Sequence, residues 1–298
     1  MRYATKFDDT SDKRVSFIYV TKDHESYSRK FLPELTKLLT PRDELIVIDG
    51  ASRDRTKEAV SANQNIVTVF LSEQDLNTAH AINKGILLAR GKYLAFLLNE
   101  DTIHPDAMEQ AVNILETHPE IDVLVCGGMK HFKTAAKEFS RPFYYPPGTN
   151  YGKGPEDAFA HGVCGNGFVI RRSIFAKVGL FQTDSIACDV VFIAQCIHNG
   201  GVVKFCRLNL FDHYITDQSN SLKIKSAINA ERKELKFVKR YCSREFFKKR
   251  QLRHMGAERF LKFSWYTAVL VYWARVFFHK RKKNKTPPAE YIWDGGFS

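Results

Sequence analysis

Between Val15 and Cys126, short and almost wholly apolar runs alternate with stretches whose apolar residues recur at helical spacing. That alternation restricts the fold more than any other feature of the chain. The runs are Val15–Val20, Leu45–Ile48, Ile66–Leu71, Tyr93–Leu98 and Ile121–Cys126. They are short and rich in β-branched and aromatic residues, as buried strands are. Tyr27–Leu39, Arg55–Ala62 and Ala79–Ala89 read as helices, and Pro105 suits the first turn of another, where its missing N–H costs nothing. Gly91 is placed to end the preceding helix in a left-handed cap. Strands apolar on both faces, alternating with amphipathic helices, predict an α/β fold with a mostly parallel sheet covered on both sides.

Ligands of such sheets bind beyond the carboxyl ends of the strands. Here those ends carry Thr21 to Asp23, Asp49 to Asp54, Ser72 to Asp75 and Asn99 to Asp101. Small polar and acidic residues converging there suit a cation and a phosphorylated ligand. After Cys126 the alternation fails. Ser140–Ala160, rich in Pro, Gly and Tyr, reads as a long loop. Phe168–Ile170, Val202–Cys206 and Asp212–Ile215 are further strands around a helix near Val190–His198.

Each acidic cluster has two readings. Asp49, Ser52, Asp54 and Thr56 follow a strand directly. They can bind a base or ribose, or simply form an Asx turn and cap the next helix. Glu100 and Asp101 offer the hard oxygen ligands that Mg²⁺ or Mn²⁺ takes beside a diphosphate, or form a solvated turn before Pro105. Asp189 precedes an apolar helix, as a cap or as a general base for an acceptor hydroxyl. His161 and His213 are isolated histidines of the later half. The chain contains neither a Walker A loop nor a GxGxxG fingerprint, which argues against a P-loop nucleotidase or a nicotinamide enzyme.

Taken in order, Val47 to Thr56 (VIDGASRDRT), Ser72 to Asp75, Ala81-Ile82-Asn83-Lys84-Gly85, Gly91 to Tyr93, Phe96-Leu97 and Asp101 resemble glycosyltransferase family 2. The bacterial members that build surface polysaccharide and lipopolysaccharide are the nearest in character. The resemblance implies a GT-A fold, Rossmann-like in its sheet, and inverting transfer from a nucleotide diphosphate sugar to a glycan or lipid-linked glycan. It places Thr21, Asp49, Ser52, Asp75, Asn83, Lys84 and Glu100 with the nucleotide sugar. Asp101 and His213 would hold a Mg or Mn cation, Asp189 would be the base, and His161 would lie on the acceptor side. Asn99-Glu100-Asp101 stands where the family usually reads Ser-Asp-Asp. Asn77, His80 and Cys188 replace a common Gly, Asp and acidic residue. Two other readings compete: a sugar nucleotidyltransferase, whose glycine-rich first loop is missing after Thr21, and a non-catalytic sugar-nucleotide-binding or membrane-scaffold protein.

Charge separates the tail from the rest. Residues 231–285 hold 18 Lys/Arg against 4 Asp/Glu, a net of +14, which leaves −2 for the remainder of a chain whose total is +12. The division expected is therefore a GT-A domain over residues 1–225 and a basic, amphipathic helical extension over 226–298. Within Phe260–Phe278, Trp265, Tyr266, Tyr272 and Trp273 suit a membrane–water interface, and the uncharged part is shorter than the ~20 residues a span needs. The rival reading of the tail is a core helix packed on the domain, its basic end solvated. The expectation is a cytoplasmic protein, peripheral on an anionic membrane surface, without nucleic-acid partners. The polar N-terminus and the six unpatterned cysteines point the same way.

Overall fold

The computed structural model describes residues 2–4, 12–98, 101–135, 137–143, 154–216 and 224–263. In chain order, the first half runs β1 (Arg2–Ala4), β2 (Val15–Thr21), α1 (Glu25–Glu34), β3 (Glu44–Asp49), α2 (Thr56–Ser61), β4 (Val69–Ser72), α3 (Thr78–Leu88), β5 (Tyr93–Leu98), β6 (Thr102–Ile103) and α4 (Pro105–Thr117). The second half runs β7 (Val123–Thr134), β8 (Lys137–Phe143), α5 (Pro155–His161), β9 (Phe168–Arg171), α6 (Ile174–Val178), α7 (Cys188–His198), β10 (Val203–Thr216), α8 (Ile224–Tyr241) and α9 (Arg244–Phe263).

The strands form one sheet in the order β1-β4-β3-β2-β5-β9-β7-β10-β6, with β8 paired to β7. Its centre is the expected parallel block β4-β3-β2-β5. The chain leaves β2 towards β3 on one side and returns to β5 on the other, so the crevice of a doubly wound sheet opens between the ends of β2 and β5. The fifth apolar run, in β7, keeps the parallel direction but does not adjoin β5. Strand β9 lies antiparallel between them.

Alternation within the apolar strands serves both faces. Ile18, Ile46, Leu94 and Phe96 pack beneath α3, α7 and α8, whereas Phe17, Tyr19, Leu45 and Val47 pack against α1, α2 and α4. Each face therefore buries its own core, the dominant favourable term in folding.

Several expectations need correction. Gly91 is not a left-handed cap, since the glycines with positive φ are Gly162, Gly179 and Gly200. A Cβ on Gly91 would lie 2.5 Å from the Ser16 nitrogen, so the residue is small because two backbones meet there. The loop expected over 140–160 contributes Ser140–Phe143 to β8 and Pro155–Ala160 to α5. The two strands expected over Val202–Ile215 are one, β10, whose register against β7 shifts between Phe205 and Phe211. Helix α1 ends at Glu34, just after Pro33, and passes into a 3₁₀ turn.

The boundary expected at residue 226 is bridged by packing. Phe237, Val238 and Tyr241 of α8 belong to the same core cluster as α3 and α7, and Phe246 and Phe247 of α9 lie against it. Arg250 donates to the Phe159 carbonyl at 2.5 Å, and the Ser243 N–H donates to Glu156 at 2.7 Å. Residues 264–298, most of the expected interfacial segment, lie outside the described residues. Among the described residues no helix is long and apolar enough to cross a membrane.

Candidate active site

The loop after β3 is strapped to the loop after β2. Asp49 is fully buried, and its carboxylate accepts from the Ser72 hydroxyl at 2.6 Å, the Ser52 N–H at 3.1 Å and the Ser52 hydroxyl. Ser52 Oγ accepts from the Asp23 N–H at 2.8 Å, and Asp54 from the Glu25 N–H at 2.9 Å. Thr56 N–H donates to Asp54 at 3.0 Å, which completes the Asx turn foreseen there. These bonds hold Ala51 and Asp23 at φ 58° and 52°, a conformation that needs such support.

Beside the loops, at the ends of β2 and β5, lies a cleft of about 250 Å³ lined by Thr21, His24, Asp75, Asn77 and Leu98 among others. Thr21 is buried, and among the described residues its hydroxyl has no hydrogen-bond partner. Asp75 pairs with Lys84 at 2.6 Å, and Lys84 also reaches Glu73 at 2.9 Å. Burial alone would push the Lys84 ammonium down, but its two carboxylates more than offset that and the pKa is raised. Asn77 caps α3 by accepting from the His80 N–H at 3.1 Å and also reaches the Thr183 carbonyl. Asn83 is directed elsewhere: its amide exchanges hydrogen bonds of 2.9 and 3.0 Å with the Phe181 backbone, tying α3 to the loop before α7.

A second group adjoins the cleft. Asp101 is buried, and its carboxylate meets His213 Nδ1 at 2.7 Å, the Tyr214 N–H at 3.0 Å and the Asn166 amide. Asn166 keeps a buried carbonyl oxygen with no partner among the described residues. Its neighbour Gly165 links the two groups: a Cβ there would lie 3.4 Å from Leu98, which lines the cleft, and 3.7 Å from the Asp189 Cβ.

Asp189 sits in the first turn of α7, where Ala187 occupies the cap position. Burial raises its carboxyl pKa, and the hydrogen bond from the Val190 N–H at 2.8 Å does not cancel the effect. A half-buried carboxylate with a raised pKa, which among the described residues meets only backbone donors, is a group able to take up a proton. Its neighbour Cys188 is pushed by burial to about 12 and stays a neutral thiol.

A carboxylate and an imidazole in contact, beside an unpartnered amide oxygen, fit a divalent cation that takes its remaining ligands from a diphosphate and water. Among the described residues no three His, Cys, Asp or Glu side chains gather as a closed metal site.

The structure thus brings Thr21 and Asp75 to one cleft, with Lys84 paired to Asp75, and Asp101, His213 and Asp189 to its neighbour, while Asp49 and Ser52 brace the loop after β3. Glu100 lies outside the described residues. The His161 backbone ends α5, and its side chain is also outside them. Asn166 and Lys130 were not anticipated. The one available signal was Gly165-Asn166-Gly167, since a polar residue between two glycines marks close backbone approach, and a Cβ on Gly167 would lie 2.5 Å from the Cys126 carbonyl.

The pattern of Glycosyl transferase family 2 matches residues 16–179. An uncharacterised glycosyltransferase of Rickettsia typhi is 25% identical over 183 residues, covering 58% of this chain and 55% of its own. The amylovoran biosynthesis glycosyltransferase AmsB of Erwinia amylovora is 37% identical over 78 residues, covering 24% of this chain and 26% of its own. The chain therefore spans about half the length of the Rickettsia relative and less of the other. Among solved structures, the Pyrobaculum calidifontis mannosyltransferase PcManGT, in complex with GDP-Man and Mn²⁺, superposes with a TM-score of 0.58 at 18% identity over 77% of this chain and 65% of that one. At that identity the likeness establishes a shared GT-A fold.

Proposed function

The chain belongs to glycosyl transferase family 2, and from that premise we propose that it moves a sugar, with inversion, from a nucleotide diphosphate sugar to a hydroxyl of a glycan or lipid-linked glycan in surface-polysaccharide assembly. The observation that carries this reading is the continuity from the cleft, through Leu98 and Gly165, to both Asp101 and Asp189. The nucleoside lies in the cleft against Thr21 and Asp75, and the diphosphate extends towards Asp101 and His213. Those two residues would hold a Mg²⁺ or Mn²⁺ ion, which when bound offsets negative charge on the departing diphosphate. Asp189 takes the proton of the acceptor hydroxyl as that oxygen attacks the anomeric carbon. The bond from the anomeric carbon to the diphosphate oxygen breaks, and its electron pair leaves with the phosphate. Asn166 and the Tyr214 N–H fix the Asp101 carboxylate.

The GDP-mannose and Mn²⁺ bound by the Pyrobaculum enzyme, and the role of the Erwinia relative in amylovoran biosynthesis, support a donor and a product of this class. The charge of residues 231–285 supports docking on an anionic membrane, where a lipid-linked acceptor would be met.

A thermal-shift panel of UDP-, GDP- and dTDP-sugars, each with and without Mn²⁺, tests the reading. Saturation at a hundredfold excess over Kd stabilises the native state by about 2.7 kcal/mol. A metal-dependent rise in Tm for one base is expected. No rise with any donor would replace transfer by a scaffold role.

A further inference from the structure

Strand β7 carries a cation that the chemistry above leaves unused. Lys130 is the Cα partner of His213 on one side and of Arg141 on the other. Neighbours in register project from the same face of a sheet, so Lys130 stands on the face from which His213 reaches Asp101. His131, one residue on, points to the opposite face and bonds Asp212 at 3.0 Å. The Lys130 side chain runs over Phe143, with Nζ 3.7 Å from the ring centroid. Phe143 in turn leans on buried Phe211, so the stem is held by the core.

The charge is what sets this residue apart. Arg14 is paired with Asp43 and Glu109, Lys84 with Asp75 and Glu73, Arg90 with Glu44, and Arg250 with Glu234. Among the described residues Lys130 has neither a hydrogen bond nor a carboxylate partner, although it is largely enclosed. Burial pushes its ammonium pKa down and neighbouring Arg141 adds to that, while Cys164, Asp189 and Asp101 act against it. An enclosed ammonium without a partner is costly unless an anion joins it. The anion that the donor-site reading brings beside Asp101 and His213, and so beside Lys130, is the donor's diphosphate.

We propose that Lys130 binds the diphosphate of the donor, as a positive charge supplied by the protein beside the Asp101–His213 pair. The inference rests on the donor-site reading. As the bond between the anomeric carbon and the phosphate oxygen breaks, the electron pair stays on that oxygen. The Lys130 ammonium keeps its proton and donates a charge-assisted hydrogen bond to it.

Titration calorimetry of UDP against UMP, of GDP against GMP and of dTDP against dTMP separates the possibilities in wild type, Lys130→Met and Lys130→Arg. Met preserves the stem over Phe143 and Arg preserves the charge, while melting curves verify folding. We expect Lys130→Met to weaken the diphosphate that wild type binds by about tenfold or more, with or without Mn²⁺. The matching monophosphate should change less than about twofold, and Lys130→Arg should recover part of the loss. Equal weakening of mono- and diphosphate, or an unchanged diphosphate affinity in Lys130→Met, overturns the assignment while leaving the donor site standing. Wild type that binds none of the three diphosphates overturns the donor-site reading and this inference together.

Discussion

The two edges of the central sheet use the same residue types, but the carboxyl edge leaves some of them incompletely paired among the described residues. At the amino edge, Glu44 is buried and accepts from the Ser16 hydroxyl at 2.6 Å, the Arg90 N–H at 2.7 Å and the Gly91 N–H at 3.2 Å, while Arg90 Nε approaches its other oxygen. Asp43 is matched in the same way by Arg14 and the Val15 N–H. At the carboxyl edge Thr21 Oγ1 and Asn166 Oδ1 find no partner among the described residues, and Asp189 has backbone donors but no cation paired with it. Both edges bury acidic groups, so acidity alone does not mark a site. Incomplete pairing does, because a fold tolerates an unsatisfied buried group where a ligand completes it.

The sharpest way to break this contrast is at Asp189. Asp189→Asn should lower turnover by about 10²-fold or more while donor affinity stays within about twofold of wild type. Steady-state rates beside calorimetric binding would show it, and parallel losses in both would make Asp189 a structural residue. Because burial raises its pKa, the wild-type rate should fall with acid at a pH above the ordinary aspartate range. Stability should move the other way. The folded state holds the Asp189 proton more tightly than the unfolded chain, so this group favours folding at low pH and the benefit is lost as pH rises through the raised pKa. Asp189→Asn is therefore expected to melt no lower than wild type at neutral pH.

At the opposite edge the signs reverse. Glu44→Ala strands the Arg90 N–H and removes the buried acceptor of the Ser16 hydroxyl and of Arg90 Nε, and should cost about 3 kcal/mol of stability. For a chain of this size that is a Tm lower by roughly 5 °C. Donor affinity, measured below the new Tm, should be unchanged. A variant that melts with wild type would erase the distinction between the edges.

The central block was legible because almost wholly apolar runs leave a buried strand little freedom, and Val15–Val20, Leu45–Ile48 and Tyr93–Leu98 all fall in strands. Gly91 misled because a helix-ending glycine and a glycine at a backbone crossing look alike in one dimension, and only the approach of Ser16 distinguishes them. The insertion of β9 between β5 and β7 was hidden because antiparallel pairing over so long a separation leaves no local pattern. In the site, Asp101, Asp189 and His213 were readable as residue types, yet the meeting of Asp101 with His213 depends on β10 running beside β6, where Asp212 faces Thr102. Lys130 was invisible for the same reason, since nothing around it in the chain separates an enclosed lysine from a solvated one.

A gentler probe is Asp101→Asn, which keeps a side chain able to meet His213 but removes the charge. Donor affinity with Mn²⁺ should weaken by about tenfold, the scale on which a lost cation-binding interaction is felt, and affinity without metal should hardly change. Calorimetry at both conditions reads the difference directly. Equal affinities for variant and wild type in Mn²⁺ would remove Asp101 from the cation site.

The smallest effect should come from Thr21, and it is informative because binding and stability are expected to part. Its hydroxyl is buried at the mouth of the cleft without a partner, so the folded, unliganded protein carries the desolvation cost of that oxygen. Thr21→Val keeps the shape and removes the oxygen. Unliganded Tm should therefore hold or rise slightly, since no bond within the described residues is lost. Donor affinity should fall by about threefold to tenfold, the worth of one ordinary hydrogen bond. A variant that melts lower and binds as well as wild type would mean that the hydroxyl serves the fold. In that event the carboxyl edge would resemble the amino edge at this position, and the nucleoside would have to be sought elsewhere along the ends of β2 and β5.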